Sequence, residues 1–150
     1  MPQSHSKIIL HIVFSTNNQE LWINKVFRPH LHAYLRSVCR ANKSEVFRIG
    51  GTANHVHIAC ALPRTLTVSR LVEELKRSSV KWLKSQAPAL ADFAWQVEYG
   101  AFSVGQAELR ALLDYIDNQG EYHRQTRFKD EYVDLLDKHG VEYDKRDLWY

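Results

Sequence analysis

The stretch His55-Val56-His57-Ile58-Ala59-Cys60-Ala61 constrains the fold of this 150-residue chain more than any other. It reads as a buried strand with histidines at its first and third positions. Successive strand side chains point to opposite faces, so His55 and His57 share one face while Val56 and Ile58 share the other. One face of the sheet must meet an apolar core, and the opposite face must accommodate two imidazoles. Two neutral rings fixed by one rigid strand can hold a divalent ion; the plainer reading is two polar residues on a solvated sheet face. A third ligand has to come from elsewhere in the chain, because such ions rarely settle for two protein groups. Position 59 is alanine, which excludes hydrolases that require histidine at three alternate positions.

The chain has the size of a single domain, 1–150, and with 45% hydrophobic and 25% charged residues it is globular rather than disordered. A formal charge of +3 permits nucleic-acid binding without arguing for it, so the placement of the charges matters more than their sum. Cys39 and Cys60 form neither a zinc nor a disulfide spacing, and a reducing cytosol suits them. No apolar run approaches the length of a membrane span and no leader-like segment opens the chain, so a cytoplasmic location is expected.

Apolar residues from Ile8 to Phe14 predict a central strand, with His11 inside it as a packed or edge histidine. A polar turn, Ser15–Gln19, precedes a helix from Pro29 to about Ala41 that carries Leu31, Leu35 and Val38 on one face. Strands are expected at Glu45–Ile49 and Asn54–Leu62 with a glycine turn between them, then a helix from Val68 to about Lys84. Phe93–Tyr99 alternates like a half-buried strand. Ser103 with Gln106 has the spacing of a capping box opening a helix to about His123, and a short helix follows near Asp130–His139. The order strand, helix, strand, strand, helix, strand, helix predicts an α+β, ferredoxin-like (RRM-like) antiparallel sheet sandwich with an added C-terminal helical part. Two crossover helices would cover one face, leaving His55 and His57 on the open one.

The helix after Pro63 places Arg70, Arg77, Lys81 and Lys84 on one side and Leu71, Val72, Leu75 and Trp82 on another. This is a basic ridge: a solvated face balanced by Glu73 and Glu74, or a phosphate-binding surface if the site works on phosphodiesters. In the helix after Ser103, Tyr115 and Gln119 are four residues apart and share a helical face. Tyr115 falls at the margin of the stripe formed by Leu109, Leu112, Leu113 and Ile116, where a tyrosine is usually a packing residue.

His55-Val56-His57 together with Tyr115-Ile116-Asp117-Asn118-Gln119 resembles the single-tyrosine HUH transposases of the insertion-sequence 200/605 type. The likeness extends to His11–Thr16, the glycine turn before the histidines, Phe93–Gln96, Gly100–Val104 and Arg127-Phe128 through Tyr132. It implies that His55, His57 and Gln119 bind a divalent cation, Mg2+ or Mn2+, and that Tyr115 is the nucleophile. It implies cleavage of single-stranded DNA with hairpin-forming element ends, leaving a covalent 5′-phosphotyrosine and a free 3′-hydroxyl that later rejoins. It also implies a prokaryotic protein, associated with the nucleoid when acting, that works as a homodimer with the tyrosine helix of one subunit completing the histidine site of the other. The chemistry fits the residue types, since a phenol with a pKa near 10 needs a nearby cation or base to become a good nucleophile.

This sequence departs from its relatives in having Gly120 after the glutamine and Tyr122 before His123. Gly120 is expected to end or bend the helix. Tyr122 is a rival nucleophile whose spacing to Gln119 does not match the pattern. Two other classes of function stand beside strand transfer: a catalytically silent single-stranded DNA hairpin binder, and a metal-dependent phosphoesterase that hydrolyses without a protein adduct.

Overall fold

The computed structural model describes residues 4–149. Four antiparallel strands form one sheet in the order β2-β3-β1-β4, with β1 at Ile8–Ser15, β2 at Val46–Gly51, β3 at His55–Leu62 and β4 at Gly100–Val104. Helix α1 (Arg28–Ala41) connects β1 to β2, and α2 (Val68–Gln86) connects β3 to the chain leading into β4. This is the split β-α-β sandwich that the element order predicts.

Alternation along the two central strands divides the molecule. Leu10, Ile12 and Phe14 of β1 and Val56, Ile58 and Cys60 of β3 face one core, into which α1 inserts Leu31, Leu35 and Val38 and α2 inserts Leu71, Val72, Leu75 and Leu83. Burying each such side chain contributes roughly 1.5–3 kcal/mol, so this layer fixes the sheet. The alternate residues, His11 and Val13 of β1 and His55 and His57 of β3, face the other side.

That second face is not open. Three C-terminal helices, α3 (Leu109–Asp117), α4 (Gln119–Tyr122) and α5 (Phe128–Lys138), lie beyond β4, and a second apolar cluster joins Val13 and Phe102 of the sheet to Phe128, Tyr132, Leu135 and Leu136 of α5. His55 and His57 are consequently fully buried, each at 0% exposure.

Phe93–Tyr99 is not a strand: only Trp95 makes a bridge, to Thr16, while the ammonium of Lys76 donates to the carbonyls of Gln96, Val97 and Glu98 at 2.6, 3.0 and 2.8 Å. The alternation reflects real burial of Phe93 and Trp95, but the segment meets the end of β1 only around Trp95, where Gln96 N donates to the Ser15 carbonyl and Asn17 N to the Ala94 carbonyl, and Lys76 serves the carbonyls beyond. The fourth strand is Gly100–Val104, so Ser103 pairs with Leu10 in the sheet and makes no capping box. The following helix also breaks at Asn118, one residue before Gln119 and two before Gly120.

Candidate active site

The β2–β3 turn aims the first histidine. Gly51 has φ of +151°, and a Cβ there would meet the His55 carbonyl oxygen at 2.2 Å, so the tight return into β3 needs glycine. The same turn brings Asn54 Oδ1 and Thr52 Oγ1 to 2.8 and 3.1 Å from Nδ1 of His55. Nδ1 of His57 lies 2.7 Å from Nε2 of His11 on β1. With both Nδ1 atoms held by neighbours, both Nε2 atoms turn toward one point. Outer partners of this kind fix ring orientation at metal-ligating histidines.

Opposite that point stands Glu131 of α5, 1% exposed. Its Oε1 is 3.3 Å from Nε2 of His57, 3.5 Å from Nε2 of His55 and 2.9 Å from Nε2 of His123. Its Oε2 accepts from the Gln119 amide nitrogen at 2.8 Å and from the Tyr115 hydroxyl. His55, His57 and Glu131 offer ligand atoms within 4.8 Å of one another, a group able to hold a metal ion. Gln119 Oε1 lies 2.7 Å from Nε2 of His55, so the amide belongs to the same cluster.

Charge follows from burial and contact. Burial first, then the neighbouring His57, pushes His55 down to about 3, and the same two causes push His11 down to about 3. Burial alone would raise Glu131, but hydrogen bonds from His123 and His57 and the charges of His57 and His55 together hold it well below the usual carboxylate range. Burial, then the charge of Glu131 and its hydrogen bond, push the Tyr115 phenol well above its ordinary value.

The donor set fits a cation. A neutral imidazole has one N–H, and His55 has Asn54 Oδ1 and the Thr52 hydroxyl at Nδ1 and Gln119 Oε1 at Nε2, so an Nε2–H tautomer donates to Gln119 while Nδ1 accepts from Thr52. If instead Nδ1–H donates to Asn54, Nε2 and the amide oxygen are two lone-pair atoms in contact, which a cation between them would reconcile.

The family model described as "Transposase IS200 like" matches residues 4–119. The chain belongs to the IS200-like transposase family. No curated protein matches it. Among solved structures, a Deinococcus radiodurans R1 chain assigned to the transposases is 19% identical, with a TM-score of 0.62 over 79% of this chain and 98% of its own. A REP-associated tyrosine transposase bound to a REP hairpin is 17% identical, with a TM-score of 0.62 over 82% of this chain and 73% of its own. Both likenesses establish the fold.

In this IS200-like transposase, the structure brings together His55, His57, Tyr115 and Gln119, the four residues singled out by the sequence pattern. The Tyr115 ring lies 5.6 Å from that of His57 in the same chain. Gly50, paired with His57 across the sheet, is what admits the tyrosine helix: a Cβ there would meet Ile116 at 2.6 Å, so α3 lies directly on β2. Arg48 and Asp117 clamp the far end of α3 at 3.2 Å.

Arg70, Arg77, Lys81 and Lys84 are not brought to this site. They are exposed on α2, which packs on the opposite face of the sheet, and Arg70 and Arg77 both pair with Glu74, at 3.0 and 2.8 Å. Tyr122 lies 5.6 Å ring to ring from Tyr115. Three participants were missed or undervalued from sequence: Glu131, His123 and His11. Glu131 left a signal, a lone carboxylate inside the α5 stripe of Phe128, Tyr132 and Leu135. It lies past the matched residues, which end at Gln119.

Among the described residues no helix is long and apolar enough to cross a membrane.

Proposed function

We propose that this transposase cleaves and rejoins single-stranded DNA at insertion-sequence ends, with Tyr115 as the nucleophile. A divalent ion, Mg2+ or Mn2+, would be held by His55, His57 and Glu131 with the Gln119 amide oxygen beside them. The observation that carries this reading is the convergence of the Tyr115 hydroxyl and both Nε2 atoms on the single carboxylate of Glu131. A phenol beside a buried two-histidine, one-carboxylate group has both parts that phosphodiester transfer needs.

In the forward step the Tyr115 oxygen attacks phosphorus, the bond from phosphorus to the 3′ oxygen breaks, and the strand leaves as a 3′-hydroxyl. Glu131 Oε2, which already accepts from the Tyr115 hydroxyl, is placed to take its proton, and the leaving oxygen gains one. The reverse step restores both. One phosphate ester replaces another, so no nucleotide cofactor is needed. When bound, the ion would polarise the scissile phosphate and stabilise charge on its oxygens.

Hairpin-forming DNA is part of this reading, prompted by the REP hairpin held by one solved neighbour of the same fold. The basic ridge of α2, Arg70, Arg77, Lys81 and Lys84, would contact phosphates away from the scissile bond. A homodimer with sites completed in trans also belongs to the proposal. Gly105 joins β4 to the segment carrying α3, and exchange about it between two copies would rebuild the same cluster; sedimentation with and without DNA checks the stoichiometry.

The experiment is incubation of the protein with single strands spanning the element ends and Mn2+, followed by denaturing electrophoresis. A protein–DNA adduct abolished by chelation is expected. Bound but uncut hairpin would instead indicate a silent binder, and cut strands without an adduct would indicate a hydrolytic phosphoesterase.

A further inference from the structure

Two cavities border the residues around the histidine pair, one taking in His11, Tyr115 and Glu131 and the other Thr52, Asn54 and His123. One, of about 550 Å³, opens beside Tyr115 and carries the carboxylates of Glu108, Glu131 and Asp134. The other, of about 630 Å³, opens beside His123 and the turn that holds His55, and its lining among the described residues contains no carboxylate. Its polar wall includes Asn18, Arg28, Asn54, His123, Arg127 and Lys129.

The cations of this second wall are not equally committed. Arg127 is paired with Asp130 at 3.1 Å. Arg28 donates through Nη2 to the Ile23 carbonyl at 2.9 Å, but its Nε is buried with no hydrogen-bond partner. Lys129 is exposed, its ammonium 5.3 Å from the Trp149 ring, and no carboxylate pairs with it among the described residues. Arg28, Arg127 and Lys129 therefore bring three cationic side chains to one cavity that also takes in His123 and, among the described residues, has no carboxylate in its wall. Guanidinium and ammonium groups placed this way suit phosphate oxygens, which supply acceptors and charge together.

We propose that the cavity between Arg28 and Lys129 holds backbone phosphates of the single strand flanking the scissile linkage. The proposal rests on the strand-transfer reading above and locates the strand within it. The phosphates flanking the scissile one lie on the side of His123 and the His55 turn, since the cavity beside Tyr115 sets three carboxylates against Lys138. Asn18 and Asn54 add neutral donors to the same wall, and the contacts are to backbone, so this part of the site is indifferent to base sequence.

The test is the salt dependence of binding to a fluorescein-labelled dT15 strand, read by anisotropy with the full chain. Each phosphate contact removed lowers the magnitude of the log–log slope by roughly 0.7 for a single strand. Lys129→Gln is expected to lower it by about 0.7, and Arg28→Gln with Lys129→Gln by about 1.4. Lys129 is exposed, so its single variant remains informative if loss of Arg28 disturbs the start of α1. Unchanged slopes in both, or a fall confined to Arg77→Gln with Lys81→Gln, would overturn the proposal. Binding of dT15 needs no cleavage. An unchanged slope in a protein that still forms the Tyr115 adduct rejects the cavity alone, and a lowered slope in a protein that forms no adduct rejects strand transfer alone.

Discussion

The hydroxyl of Tyr115 donates to Oε2 of Glu131, a carboxylate sixteen residues downstream on a different helix. That bond ties α3 to α5 and makes one acidic group common to the Tyr115 hydroxyl and to the histidine pair. Because Glu131 is buried, its charge is balanced only by what converges on it: His55, His57 and His123 through Oε1, Tyr115 and Gln119 through Oε2. Removing a single partner from such a cluster changes several others at once.

Glu131→Gln keeps the volume and can still hydrogen bond, but it removes the only carboxylate of the three-ligand group. Mn2+ affinity measured by calorimetry is expected to fall at least about tenfold, the lower end of what altered ligand surroundings cost elsewhere. Near-native affinity in this variant would return the third ligand to Gln119 alone.

Gly50→Ala tests the seating of the tyrosine helix. The added methyl meets Ile116 at its side chain and at its carbonyl oxygen, 2.6 and 2.8 Å away, so the strand and the helix must separate. A loss of about 1–3 kcal/mol in urea unfolding is expected from overpacking. Adduct formation should slow more than the stability loss explains, because Tyr115 is the neighbouring residue. Wild-type stability and rate together would show that α3 is not held by this contact.

The metal-free protein should lose stability in acid. His11 and His55 are each pushed down to about 3 by burial, so between that value and about 6.5 the unfolded chain binds more protons than the folded one. Stability is fully present above about 6.5 and falls as pH drops toward 3, each group contributing a slope of up to about 1.4 kcal/mol per pH unit. Glu131, lowered in the fold, adds loss in the same direction below its unfolded value near 4.3. His123 acts oppositely: burial alone would lower it, but Glu131 and the Thr126 carbonyl raise it overall, so its contribution is complete below about 6.5 and declines above. Melting temperature in EDTA should thus peak near pH 6.5. A flat profile from 6.5 to 4 would mean that these rings are not buried neutral.

Where burial imposes a period, the sequence was readable. The strands around Ile12 and Ile58 and the helices bearing Leu35 and Leu75 follow directly from apolar spacing, and so does the shared face of His55 and His57. Gly100–Val104 escaped notice because it is short and opens on a glycine, whereas Phe93–Tyr99 imitated a strand through buried rings on a segment that meets β1 only around Trp95 and hands its later carbonyls to Lys76. At the site, His-x-His and Tyr-x-x-x-Gln are local spacings and survive in one dimension. Glu131, His11 and His123 owe their roles to chain crossings, which local periodicity does not encode. The cover that α5 places over the histidines is likewise a tertiary event, decided by the pairing of Phe128, Tyr132 and Leu135 with Val13 and Phe102.

Peptide mapping of a trapped adduct decides whether Tyr115, as proposed, carries the transferred strand. Wild-type protein incubated with single-stranded element ends and Mn2+, then digested, should yield one nucleotide-bearing peptide, modified at Tyr115. Tyr115→Phe keeps the ring at the edge of its apolar stripe and should still bind DNA and metal while giving no adduct. Modification at Tyr122, 5.6 Å away ring to ring, or an adduct that persists in Tyr115→Phe, would contradict the account.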